Sequence, residues 1–173
     1  IWIEGPHIYK HLGKYYISAA EGGTSVNHSQ VILRADRVDG PYAPAPAGVN
    51  PILTQRDLPA DRPNPVSAAG HADIVGLPGG GFAAIFLGTR PYDYAKDLYN
   101  IGRETFLLPV DWSGEWPIIL RHGLPVPLTA PALMPAVPGG TPMTGSFAVR
   151  EEFDGARLGP EWMTMRAASY AMA

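Results

Sequence analysis

The sequence predicts an all-β fold, and three observations carry that expectation. Glycine (20 residues) and proline (19) are abundant in a chain of 173. A helix-rich domain does not tolerate that much of either, whereas short strands joined by turns require it. Runs of β-prone residues recur between turn-forming clusters. The apolar fraction of 46% supplies an ordinary core.

The elements follow in order. HIYKH (7–11) and YYISAA (15–20) flank LGK, which reads as a hairpin around a short glycine-containing loop. EGGTSVN (21–27) is a polar, glycine-rich loop, and HSQVILRAD (28–36) restores an apolar strand. DGPY (39–42) is a turn signal, and a Pro-rich connection runs from Ala43 to Pro65 with NPILT (50–54) inside it. The plan then returns: GHADIVGLP (70–78), the turn GGG (79–81), FAAIFLGTR (82–90), GRETFLLPVDW (102–112) and a short fourth strand in EWPIIL (115–120).

Each unit is three or four antiparallel strands long, the proportion of a propeller blade. A β-sandwich gives a similar list, so periodicity alone leaves both architectures open. Two such units cannot close a propeller, and the chain reads as an internal fragment of something longer. Residues 1–123 are expected to form the partial propeller. Residues 124–146 are too Pro-rich for a helix or a central strand and read as a linker or strap. Residues 147–173, with FAVREEFDGARLGPEWMTMR, read as the start of a second, β-sandwich domain.

Several function classes are disfavoured. The net charge of −3 argues against a nucleic-acid or anionic-membrane partner, both of which favour basic patches. There is no cysteine, hence no disulfide framework and no zinc–thiolate site. No apolar run approaches the ~20 residues of a membrane helix.

Four polar stretches interrupt the apolar pattern: Glu4 to His7, Glu21 to His28, Gly70 to Asp73, and Arg90 with Arg103-Glu104. In a propeller the innermost strands line a central channel. Glu4 and His71 open their respective units, an arrangement that brings them together there. Each also has a bland reading. A lone Glu before Gly-Pro is most often a solvated turn residue, a lone His at a strand start most often a structural hydrogen-bonding group, and Arg103-Glu104 a surface ion pair. No metal-ligand spacing is read among His7, His11, His28 and His122. No nucleophile elbow and no phosphate loop occur. The residues by themselves reach a β-rich fragment with a carboxylate, histidine and arginine cluster.

The ordered series EGPHIYK, YYISAAEGGT, NHS, GPY, NPILT, GHADIV, GRETFL and PVDW resembles glycoside hydrolase family 43, in its β-xylosidase and α-L-arabinofuranosidase branch. The resemblance covers residues 1 to about 120, and FDGARLGPEWMTMR is similar to the opening of the β-sandwich that follows the propeller in those enzymes. It implies a five-bladed β-propeller, of which two to three blades would be present. It further implies an inverting glycosidase that releases pentose from the non-reducing end of xylo- or arabino-oligosaccharides. By the EGPH motif Glu4 is implied as the general acid. The base and the pKa-tuning carboxylate are implied as aspartates upstream of residue 1, so these roles are not assigned to Asp36, Asp57 or Asp73. His71 of GHA is implied at the channel centre, against the base or a cation or water. Arg103 of GRE is implied in the innermost sugar subsite, and Thr24 of GGT near the sugar.

No cofactor is required on this reading. A structural calcium and a homo-oligomeric parent are both compatible with it. The isolated chain is expected to be inactive, because it holds one of three catalytic carboxylates. Two other readings stand beside it: a non-catalytic carbohydrate-binding propeller, and a β-sandwich interaction domain. The latter leaves the ordered motif series unexplained.

Overall fold

The computed structural model describes residues 2–133, 152–155 and 162. The chain divides into two compact units, Ile1–Pro135 and Ala136–Ala173. In the second, the rings of Phe153 and Trp162 meet at 5.3 Å. Most of the expected linker over 124–146 and of the expected sandwich over 147–173 lies outside the described residues.

The first unit is all-β, with no helix among the described residues. One sheet runs β1 (Ile3–His11), β2 (Lys14–Glu21), β3 (Ser29–Ala35), with β4 (Ala43–Pro44) and β5 (Leu53–Thr54) both paired to β3. The second runs β6 (Ser67–Gly76), β7 (Phe82–Thr89), β8 (Glu104–Val110). All these pairings are antiparallel.

The turns follow from sequence. His11 pairs with Lys14, so Leu12 and Gly13 alone reverse the chain, and both have positive φ (46° and 78°). That is the twist-matched two-residue hairpin. Strand alternation then builds the core. On β3, Gln30 and Ile32 are buried while Val31 and Leu33 are half-buried on the opposite face. Tyr16 and Ile32 from the first sheet meet Ala72, Ile74, Phe86 and Leu108 from the second in one cluster. Fully burying a side chain such as Phe86 or Ile32 contributes about 1.5–3 kcal/mol.

Two expectations are corrected. EWPIIL is not a strand: Pro117 has no N–H to give, and only Ile118 forms a bridge, with Asp111. Past it, the N–H groups of Ile119 and Leu120 both donate to the Ile52 carbonyl. The Pro-rich connection, in turn, is not all loop. It holds β4 and β5, two short pieces that together give β3 an outer partner.

Candidate active site

Glu4 stands at the second position of β1, opposite Ala20 of β2. The pairing then slips between Glu4 and His7, and the two residues inside the bulge are Gly5 and Pro6. Gly5 takes φ +54°, a region glycine enters without strain. Pro6 sits where a ladder N–H is already forfeit. The bulge lets the backbone approach a histidine closely: a Cβ built on Gly5 would lie 2.5 Å from His71 Nε2.

His71 is the fifth residue of β6, inside a strand rather than at its start. The register of β6 against β7 shifts twice, between Ser67 and Gly70 and again between Gly70 and Asp73. Two non-glycine residues, Ala68 and His71, take positive φ (50° and 55°) there. Such conformations persist only where the surroundings over-determine them. Here β3 and the residue before it do so. His28 Nδ1 bonds the Ala68 carbonyl at 2.8 Å, and Gln30 bonds both backbone groups of Ala72. Gly70 is required beneath the His28 ring, since a Cβ there would come within 2.9 Å of it.

The outcome is a three-residue cluster. Glu4, His28 and His71 each present a ligand-capable atom, all within 4.8 Å of one another. Glu4 is exposed, His71 half-buried and His28 fully buried. The rings of His28 and His71 meet edge to face at 6.4 Å. His28 Nε2 and His71 Nδ1 are buried without a protein partner, so both nitrogens remain for a ligand or water. Burial holds the His28 pKa below the ordinary imidazole value. The bond to Ala68 and the Glu4 charge oppose that shift, and His71 and Arg103 reinforce it. Neutral His28 therefore gives its Nδ1 hydrogen to Ala68 and keeps an Nε2 lone pair.

Arg103 lies just before β8, after Gly102 with φ +74°. Its charge acts on His28, which sets it within electrostatic reach of the cluster. Glu104 does not pair with Arg103, so the bland reading of the two as a surface ion pair fails. It is held bidentately by Arg90, with Nε at 3.0 and 2.9 Å from its two oxygens. Thr24 is exposed in the turn leading to His28. That turn is closed by the Ser25 carbonyl, which accepts from His28 N–H at 2.9 Å. It is also tight at Gly22, where a Cβ would lie 2.2 Å from the Asn27 carbonyl oxygen. Arg56 braces it from outside, bonding the Asn27 carbonyl and Ser29 Oγ.

His28 is the residue that sequence reasoning passed over. Its signals were a place in a polar stretch before a strand and in the NHS motif, neither of which gave it a role. As a donor set, two imidazoles and one carboxylate suit a borderline divalent ion. Calcium takes six to eight oxygen ligands, and this cluster offers it one carboxylate, so these residues do not by themselves form a calcium shell. A separate surface groove of about 370 Å³, lined by Ile3, Glu21, Val31, Leu33, Pro44 and Arg56 among others, includes the face of β3 opposite Gln30 and is not part of this site.

Comparison with known proteins bears on the cluster. The family described as glycosyl hydrolases family 43 matches residues 1–117. The non-reducing end α-L-arabinofuranosidase BoGH43B of Bacteroides ovatus is 40% identical over 164 residues, covering 94% of this chain and 29% of that protein. A xylosidase/arabinosidase of Butyrivibrio fibrisolvens is 40% identical over 119 residues, covering 69% of this chain and 22% of that protein. A solved structure described as Bacteroides ovatus xyloglucan PUL GH43B superposes with a TM-score of 0.71 at 39% identity, over 92% of this chain and 30% of the other. The chain thus spans less than a third of the length of these relatives. It belongs to glycosyl hydrolase family 43, in the branch of xylosidases and arabinosidases.

Proposed function

We propose that this chain is the part of a β-xylosidase or α-L-arabinofuranosidase that carries the general acid, Glu4. The observation that carries the reading is the convergence of Glu4 with His28 and His71, within 4.8 Å, under the influence of the Arg103 charge. Among the described residues Glu4 has no hydrogen-bond or ion-pair partner, so its carboxyl group remains available to a leaving oxygen. The names of the relatives, an arabinofuranosidase and a xylosidase/arabinosidase, support pentose as the sugar released.

In an inverting reaction the acid gives its proton to the glycosidic oxygen while a base draws a proton from water on the opposite face of the ring. The two carboxyl groups stand ~6.5–9.5 Å apart to admit that water. The base and a third, orienting carboxylate are not assigned to residues of this chain. Three of the chain's aspartates are engaged elsewhere: Asp36 binds Lys14, Asp57 accepts from the Gly123 N–H, and Asp73 accepts from Tyr9. Arg103 supplies fixed donors to sugar hydroxyls, and Thr24 borders the same subsite. A cation or water held by His28 and His71, whose Nε2 and Nδ1 have no protein partner, would leave the Glu4 carboxyl free to act as the acid.

The two sheets are blades of a five-bladed propeller. Each buries one face against the other and leaves an apolar outer face, with Ile3 and Ile8 on the first sheet and Ile85 and Leu107 on the second. Further blades would cover those faces.

The test is Glu4→Gln in the full-length enzyme. Turnover of oligosaccharides, whose leaving groups need protonation, should fall by roughly 10²–10⁴-fold, and that of activated aryl glycosides far less. Equal losses would remove the acid assignment, and no turnover by the parent itself would favour a carbohydrate-binding role. The 173-residue chain alone should not turn over an aryl xyloside.

A further inference from the structure

We propose that Gln30 is a positioning residue for this site, holding His71 against Glu4 from β3 of Glu4's own sheet, where Glu4, Ala20 and Gln30 stand in one register row. The inference rests on the reading of Glu4 as the acid and deepens it, by naming what keeps the histidine in place.

Strand β6 carries a backbone hydrogen-bond deficit. Where β6 slips against β7 between Gly70 and Asp73, no residue of β7 is in register with Ala72, yet Ala72 is fully buried. An unmade backbone hydrogen bond in such a place costs about 1–3 kcal/mol. Gln30, itself fully buried on β3, meets that deficit with one side chain. Its Oε1 accepts from Ala72 N at 2.9 Å and its Nε2 donates to the Ala72 carbonyl at 3.2 Å. The other Nε2 hydrogen goes to Ser18 Oγ at 2.7 Å. The carboxamide stands in for a missing strand, and the Ala72 N–H and carbonyl fix which way round it sits, since one only donates and the other only accepts.

The peptide so clamped is the one that follows His71. His71 holds φ +55° and its ring fills the space that a Gly5 side chain would need. A shift of that peptide therefore moves the imidazole against the backbone that carries Glu4. His28, two residues before Gln30, clamps the other bulge at Ala68. One edge of β3 thus fixes both irregularities of β6.

Asn50 provides an internal control. Its carboxamide makes the same double bond to a backbone, with Ile32 N at 2.8 Å and the Ile32 carbonyl at 2.9 Å, but it serves the β4 and β5 side of the sheet. In the full-length enzyme, Gln30→Leu should lower kcat roughly 10–100-fold with KM changed far less, the effect of a small misplacement near the chemistry. Asn50→Leu should cost a similar drop in Tm with kcat within about twofold of the parent. Should Gln30→Leu not fold, Gln30→Glu serves. Its protonated carboxyl reproduces both bonds to Ala72, so its kcat relative to the parent should recover as pH falls. Equal kcat losses in the Leu variants, or no recovery in Gln30→Glu, would overturn the proposal.

A second readout separates it from the acid assignment. The imidazole resonances of His71 should move in Gln30→Leu and stay in Asn50→Leu, whatever Glu4→Gln does to turnover. Unmoved His71 resonances would sink the positioning role and leave the acid reading intact.

Discussion

Gly5 and His71 are packed so closely that the imidazole occupies the place of a side chain: a Cβ on Gly5 would sit 2.5 Å from Nε2. The glycine is needed twice, once for this contact and once for its φ of +54°. Gly5→Ala should therefore destabilise the protein by more than the ~1 kcal/mol of a left-handed alanine alone, because the His71 ring must also move. Turnover should fall with it, since Glu4 is the preceding residue. A Tm within a degree of the parent would mean that the ring gives way freely and that the contact positions nothing.

Much of this was legible in the sequence, and the part that was not has a common cause. Strands β2, β3 and β7 announce themselves by β-prone runs, and the Leu12–Gly13 reversal by its glycine. Glu4 and His71 could be paired because each stands in a polar stretch on the first strand of its unit, although His71 lies inside that strand and not at its start. The bulges of β6 could not be read, because alanine and histidine carry no signal for positive φ. His28 was missed because its partner, Ala68, is 40 residues away in sequence, and only the packing of β6 on β3 makes them neighbours. The bland alternative, an Arg103-Glu104 ion pair, fails for a simpler reason. Adjacent residues in a strand point to opposite faces, whereas Gly88 of β7 is in register with Glu104, which brings Arg90, two residues on, within reach.

Tyr9 ties the two sheets together below the site. Its hydroxyl donates to Asp73 Oδ1 at 2.8 Å and accepts from Ile74 N at 2.9 Å. Burial, with the Asp73 carboxylate beside it, raises the phenol pKa well above its usual value, so it stays protonated. In Tyr9→Phe the Ile74 N–H loses its acceptor, while the partly exposed Asp73 recovers water. The expected loss is about 1–3 kcal/mol of stability, read from the denaturant midpoint at unchanged m-value. No change would mean that water replaces the hydroxyl.

His28 makes stability depend on pH with a definite sign. Its folded pKa lies below the unfolded value of 6.5, chiefly because of burial. Below pH 6.5 the unfolded state takes up a proton that the folded state resists, so the unfolded state binds more protons and stability rises with pH. The contribution is fully present above pH 6.5 and is lost as pH falls through the folded pKa. His28→Gln should flatten the stability profile below pH 6.5, at a general cost from the disturbed bond to Ala68. An unaltered slope in that window would show that other groups carry it.

Arg90 and Arg103 offer the sharpest contrast, because they differ in what already occupies their guanidinium groups. Arg90 has committed its fork to Glu104 through Nε and Nη2, in an exposed setting where such pairs contribute little. Arg103 has no hydrogen-bond or ion-pair partner among the described residues, yet its charge reaches His28. Lysine keeps the charge but lacks the planar fork. Arg103→Lys in the full-length enzyme should therefore raise KM by about tenfold or more, the loss of one charge-assisted hydrogen bond to the sugar, while Tm stays near that of the parent. Arg90→Lys should do the reverse: a small drop in Tm with KM unchanged. If both substitutions raise KM alike, the segment before β8 acts as a whole and Arg103 has no private contact with the sugar. If Arg103→Lys lowers Tm and leaves KM alone, the residue belongs to the fold and not to the subsite.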